Sequence, residues 1–399
     1  MAKNKKPVPR KSSAPSAEDV AEATIQKLCD LALELVEQEE PDQLREQDAE
    51  FHKTIRKLLL QKRDEVLYEA LERARYADED AWRLLRGAIE EASEAVVFRR
   101  DDGHAVEVDA FSIPFFVRST GGLDAAECFG DQEAFDQLTA SLKASQLESA
   151  QAQVVLVAHA YHLDEIDRIT YSQINEMARD AQASMSGRKA STLAIEKSLS
   201  GWPPKPFGAA DAALELRFLV GFALKPADDP FYAVPADEAA ADAYFAEREQ
   251  RFQRWTEVAA PLLARCLARE PGALELSFLY QDMFHGAKQR GIAEQAMLVL
   301  MSQVRDAIEA AGMAPDEVDA IIGPATVGEH MVLRVNLLAR TDGRVLASLD
   351  NAVGESADFE AEFMDSCDCV LAAGIASLAL ASGFDATGAA LETRPYDPA

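Results

Sequence analysis

Residues 274–312 read LELSFLYQDMFHGAKQRGIAEQAMLVLMSQVRDAIEAAG. Leu274, Leu276, Phe278 and Tyr280 alternate with Glu275, Ser277, Leu279 and Gln281, the period-two pattern of a strand with one apolar face. The period then changes. Ile292, Ala296, Leu300, Val304 and Ile308 recur every fourth residue, widened by Met297, Met301 and Ala311, which predicts an amphipathic helix stopped at Gly312. A comparable layout stands upstream. Val154–Ala158 is an apolar run, His159–Arg168 a polar turn, and Tyr171, Ile174, Met177, Ala178, Ala181 and Met185 a helical stripe. Both turns carry an aromatic–His pair, Tyr161-His162 and Phe284-His285. The chain therefore reads as an internal duplication of two βαβα halves, a mixed α/β (α+β) fold with hairpins.

The chain of 399 residues has room for a large core and more than one domain. Its formal net charge of −29 repels phosphate backbones and anionic headgroups, which speaks against a broad nucleic-acid face and leaves a protein or small-molecule partner. Cys29, Cys128, Cys266, Cys367 and Cys369 are few, odd in number and scattered, as expected of a reducing, cytoplasmic setting rather than a disulfide framework. No apolar run reaches the length of a membrane span.

Taken in order, residues 1–16 are basic and rich in Lys, Pro and Ser and predict a disordered tail that could touch RNA or an acidic face of the protein itself. Residues 17–95 are patterned as helices throughout, with Asp78 placed as a cap. Val96–Phe98 and Val106–Val117 predict a hairpin around Asp101-Asp102-Gly103, with Pro114 arguing for an edge position or a bulge in the second strand. The first α/β half runs over 96–190. Gly201-Trp202-Pro203-Pro204-Lys205-Pro206-Phe207-Gly208, within 191–211, predicts a stiff linker. The second half, 212–383, starts with a strand at Leu214–Leu224. A long helix comes next, with Phe245, Phe252, Trp255, Val258, Leu262 and Cys266 on one side. A hairpin at Met331–Ala339 and Arg344–Leu349 and a helix over about Ala357–Ser382 complete it, leaving 384–399 as a loose tail. Each βαβ crossover within one sheet is expected to join parallel strands.

No phosphate-loop, dinucleotide, nucleophile-elbow or HExxH signature is present, and the sequence names no cofactor. Cys367 and Cys369 sit two apart on a predicted helix, so their thiols diverge and read as structural. His159 and His162 with Asp164, Glu165 and Asp167 form the densest group of imidazoles and carboxylates, but the solvated-turn reading outweighs a metal site. Ligands of open α/β sheets bind beyond the carboxyl ends of strands. That rule would gather Arg118, Ser119 and Thr120 with His159, Tyr161, His162 and Asp164 from the first half, and Lys225, Asp228, Tyr280, Gln281, Asp282 and His285 from the second.

The length, the basic Lys/Pro tail, the acidic Ala-rich helices and the WPPKPFG stretch together resemble an uncharacterised proteobacterial protein family known only as a domain of unknown function. The resemblance implies a cytoplasmic bacterial protein and carries over no catalytic residue. The expectation is a non-catalytic binding or scaffold protein. The alternative is an enzyme, metal-dependent or not, with its cleft at the strand ends.

Overall fold

The computed structural model describes residues 16–37, 41–99, 103–119, 129–144, 151–185, 214–268, 274–328, 330–352 and 359–396. The predicted linker and all of the predicted tail but Ser16 lie outside these residues. The chain divides into two compact units, Met1–His285 and Gly286–Ala399.

The first unit begins with the expected run of helices: α1 (Ala17–Glu37), α2 (Pro41–Leu60), α3 (Asp64–Ala77) and α4 (Glu79–Glu94). They share a core of Leu28, Phe51, Ile55, Leu67, Leu85 and Ile89. Asp78 caps α4 as predicted, accepting from the Ala81 N–H at 2.8 Å. Then come β1 (Ala95–Arg99), β2 (Ala105–Ser119), α5 (Gln132–Ala144), β3 (Gln153–His162), α6 (Leu163–Ile166) and α7 (Tyr171–Met185). β4 (Glu215–Pro226), α8 (Glu238–Leu267), β5 (Leu274–Phe278) and β6 (Asp282–Met283) complete the unit. The start of α7 carries the expected capping box, Thr170 N–H to Gln173 Oε1 at 2.8 Å and Gln173 N–H to Thr170 Oγ1 at 3.3 Å.

β2 is the axis of the sheet. β4 runs antiparallel along its whole length, from Val106↔Pro226 to Val117↔Glu215, and β3 pairs with the far side of β4. Along the other edge of β2, β1, β6 and β5 lie end to end. Every pairing in this sheet is antiparallel, so the expected parallel crossovers are corrected here. Helical and strand periods fix element type but not strand sense, and the segment between β3 and β4 is long enough for either. Strands from both sides of the predicted linker share this sheet. Phe111, Ile113, Phe115 and Val117 form one face of β2, under α5 and α8, with Trp255 Nε1–H of α8 reaching Ser141 Oγ of α5 at 2.9 Å. α7 packs on β1, β2 and β4 from the helical lead-in.

Pro114 is central in the sheet, not at an edge. Its carbonyl accepts from Leu279 N–H at 2.9 Å. In extended backbone the N and C=O of one residue face the same side. Its missing N–H therefore faces the β5–β6 side and leaves the β4 ladder intact. There the register slips: the step from Phe278 to Asp282 faces the shorter step from Phe115 to Ser112. One extra residue among Leu279, Tyr280 and Gln281 separates β5 from β6.

In the second unit, α9 (Phe284–Ala310) supplies Leu300, Val304 and Ile308 to a core, and Gly312 beyond it takes a φ of +66°. β7 (Val318–Val327), β8 (His330–Ala339) and β9 (Val345–Ala352) form an antiparallel meander, the last two joined by the predicted turn, with Gly343 at φ +69°. Sequence patterning had not marked β7 as a strand. The final helix is shorter than its apolar pattern. α10 (Phe359–Ala372) ends before Gly374 at φ +89°, and Leu378 belongs instead to β10 (Ser377–Leu380), parallel to β7. Within the predicted loose tail, β11 (Gly383–Phe384) pairs with β12 (Ala390–Leu391), and β13 (Arg394–Pro395) with β10. The two strand–helix stretches occupy unlike surroundings, and the described residues do not confirm the duplication read from the sequence. No described helix is long and apolar enough to cross a membrane.

Candidate functional site

α8 carries a buried stripe of Arg248, Phe252, Trp255, Ala259, Leu263 and Cys266. Phe245 and Val258, predicted to be in it, are about half exposed, at 49% and 50%. The stripe sets α8 antiparallel beside β5. The Phe252 ring lies 4.8 Å from that of Tyr280, and the Trp255 ring 5.3 Å from that of Phe278. Between helix and strand lies a cleft of about 400 Å³, lined on the helix by Glu249, Phe252, Gln253, Thr256, Glu257 and Ala260, and on the strand by residues 276–280. This volume falls in the range of ligand sites, roughly 300–1,000 Å³.

The open side of the cleft is a strand edge. Because Leu279 N–H bonds to β2, the alternation turns the backbone groups of Ser277 and Glu275 toward β2 as well. The N–H and C=O of Leu276 and Phe278 turn the other way, where no described strand pairs with them. No lysine or arginine lines the cleft, while Glu249 and Glu257 stand along its helical wall.

Below the Tyr280 end sits a caged guanidinium. Arg248 is 4% exposed and lies 4.3 Å from the Tyr232 ring centroid, 5.2 Å from Phe231 and 5.7 Å from Tyr280. Its Nη1–H donates to Phe231 O at 3.2 Å and Tyr244 Oη at 3.4 Å, while Nε and Nη2 have no hydrogen-bond partner among the described residues. Aromatic faces thus supply much of what water would give the cation. Tyr232 donates to Asp282 Oδ1, which also accepts from Met283 N–H at 2.7 Å. Burial, then the Asp282 charge, pushes the Tyr232 phenol up. Sequence reasoning named Tyr280 and Asp282 but missed Arg248, Tyr232 and Tyr244. The signal was there: Arg248 is the single charged residue in the spacing 248, 252, 255, 259, 263, 266.

Two further buried polar groups flank β2. Glu94 ends α4 just before β1, and His285 comes directly after β6, so they meet where the two short strands abut. The Glu94 carboxyl accepts from the His285 backbone N–H at 3.0 Å, taking a donor that lacks a ladder partner. Burial pushes its pKa up to about 8, with Glu90, Asp282 and Asp109 adding repulsion. His285 Nε2 lies 3.0 Å from Ser93 Oγ, but that hydroxyl donates to Glu90 O at 2.7 Å. The imidazole is therefore the donor to the serine, not a base acting on it. On the opposite face, Lys225 Nζ lies 3.0 Å from Asp109 Oδ2 and 3.1 Å from Glu107 Oε1. Burial, and a hydrogen bond with Glu107, raise Asp109 to about 7 against the pull of Lys225. Burial pulls the Lys225 ammonium down, but the two carboxylates more than offset it.

The antiparallel sheet divides the sequence-derived candidates. Arg118, at the carboxyl end of β2, pairs with Glu275 at 3.6 Å. Ser119 is the last residue of β2 and Thr120 lies outside the described residues. β3 extends beyond the expected turn to His162, with a bulge between Leu156 and Ala160. There His159 Nε2 lies 3.2 Å from Glu165, and Glu165 also accepts from His162 N–H at 2.7 Å. His162 caps α6 by accepting from Asp164 N–H at 3.2 Å, and Tyr161 is fully buried. β5 and β6 run opposite to β2, so Tyr280, Asp282 and His285 come after strands directed away from Arg118. Of the described candidates, Tyr280 alone lines the cleft beside β5. No group of three His, Cys, Asp or Glu able to hold a metal ion occurs among the described residues.

No curated protein and no solved structure matches the chain. A family match covers residues 14–349, most of the chain. The chain belongs to the family described as Protein of unknown function (DUF2863).

Proposed function

We propose that the protein is a non-catalytic binding protein of the bacterial cytoplasm whose ligand enters the cleft between α8 and β5. The observation that carries this reading is the outward-facing backbone of Leu276 and Phe278 beside a helical wall. Natural edge strands are commonly covered, bulged or charged against pairing, whereas this one borders a cleft of ligand size. The Phe252, Trp255 and Phe278 rings fix the distance between wall and strand, so the cleft is pre-formed and a ligand loses little in ordering it. Cys29, Cys266, Cys367 and Cys369 are free and buried, which supports the cytoplasmic placement. The second reading, an enzyme, draws on Glu94 and Asp109, whose acidities lie near neutrality.

A displayed peptide and small-molecule selection against the whole protein, repeated on Gln253→Trp, tests the binding reading. Gln253 is exposed on the helical wall and lines the cleft, so the indole occupies the cleft without entering the core. Ligands that bind the parent and fail on Gln253→Trp support the proposal. Ligands indifferent to that substitution, or none at all, overturn it.

A further inference from the structure

We infer that the cleft beside β5 takes an extended segment of a partner protein carrying two lysines or arginines four residues apart, which adds to β5 as an outer strand. This inference rests on the binding reading above.

Main-chain pairing comes first. Leu276 and Phe278 offer two outward N–H and C=O pairs about 7 Å apart, the spacing at which alternate residues of an added strand exchange hydrogen bonds. Such pairing reads the backbone and accepts many sequences. Side chains supply the choice. In an added strand every second residue faces one side, here the wall formed by α8.

That wall is an acidic row. Glu249, Gln253 and Glu257 recur at every fourth residue of α8 and all line the cleft, so they share one helix face. Glu249 accepts only a long 3.4 Å contact from Gln253, and Glu257 has no ion pair or hydrogen bond among the described residues. Eight residues of helix separate the two carboxylates by about 12 Å. Four residues of extended peptide span about 13 Å and return the side chain to the same face. The two repeats match. Because α8 runs antiparallel to β5, with Phe252 at Tyr280 and Trp255 at Phe278, Glu249 and Glu257 stand towards opposite ends of the strand edge. The residue midway between the two cations faces Gln253 and Thr256, which accommodate a small or hydroxylated side chain.

The net charge of −29 favours encounter with a cationic segment, and no basic side chain lines the cleft to oppose it. Tyr280 closes one end, with Arg248 beneath it, so the segment's cations are confined to the Glu249–Glu257 span.

The test uses fluorescent nine-residue peptides of Thr and Val with Lys at positions 3 and 7, titrated by anisotropy into the full chain. Controls carry Glu at those positions, Lys at 3 and 6, or N-methyl groups on the amides that would face β5. The lysine peptide with four-residue spacing is expected to bind. Binding should weaken at least tenfold with the Glu peptide, with the three-residue spacing, with N-methylation, and with the Glu249→Gln/Glu257→Gln protein. Equal binding of the lysine and glutamate peptides, both lost in Gln253→Trp, overturns the charge inference and keeps the cleft reading. Binding indifferent to Gln253→Trp overturns both. Binding seen only after removal of residues 1–15 makes the chain's own basic segment the occupant and overturns the partner version.

Discussion

Replacing Glu94 by Gln should make the first unit more stable at alkaline pH while leaving its stability near pH 5 almost unchanged. In the folded protein the carboxyl is buried and holds its proton up to about 8, against an ordinary value of 4.5. In the unfolded chain it ionises above that ordinary value. The unfolded state therefore releases a proton that the folded state keeps, and stability falls as pH rises from 4.5 to about 8. Each pH unit across that window removes about 1.4 kcal/mol, so the whole window removes about 4–5 kcal/mol. Gln keeps an oxygen to accept the His285 N–H and cannot ionise. Trp82 and Trp255 lie in the first unit and no tryptophan follows His285, so tryptophan fluorescence during urea unfolding reports on that unit. The difference between Glu94→Gln and parent should be small at pH 5, grow through pH 6 and 7, and level off above pH 8. Two parallel curves would refute the reasoning, because they would mean that Glu94 titrates alike in the folded and unfolded states.

The packing of the first unit sets three more expectations. Lys225→Met strands Glu107 and Asp109 without their counter-ion and should cost about 3–5 kcal/mol, most of it recovered when Glu107→Gln and Asp109→Asn are added; a urea series showing under 1 kcal/mol would mean that the carboxylates are hydrated. A Cβ on Gly221 would come within 2.3 Å of Phe111 Cζ and 2.8 Å of Leu156 Cδ2, so Gly221→Ala should cost about 1–3 kcal/mol by overpacking, and an unchanged urea midpoint would contradict that packing. Proteolytic cutting between residues 186 and 213 should leave fragments that co-elute on sizing, because β4 pairs with both β2 and β3; separation without denaturant would disprove the shared sheet.

The alternation of Leu274 to Tyr280, the helix ending at Gly312 and the hairpin turning at Gly343 were legible because each rests on local period or turn chemistry. Pairing partners were not. Val154–Ala158 looks like a strand buried on both faces, yet Ala158 is exposed and Val154 and Val155 are only partly buried. Pro114 argued for an edge or a bulge, and the irregularity lies in the facing strand, where the break between β5 and β6 receives its missing N–H. Ile375 and Leu378 extend the apolar pattern of the last helix, but Gly374 in the left-handed region ends it, and residues 377–380 pair with β7 instead. The site was half legible. Tyr280 and Asp282 were read from their place after a strand, whereas the Glu249–Glu257 row gains meaning only when α8 is set beside β5.

The binding account turns on which backbone groups of β5 are open. Residue-resolved amide exchange of the full protein, with and without the four-spaced lysine peptide, tests it most directly. The account predicts that the Leu276 and Phe278 amides exchange fast in the free protein and slow at least tenfold with peptide, while Ser277 and Leu279, already bonded to β2, stay unchanged. Slow exchange at Leu276 and Phe278 without peptide, or no change at either when peptide is bound, would contradict it.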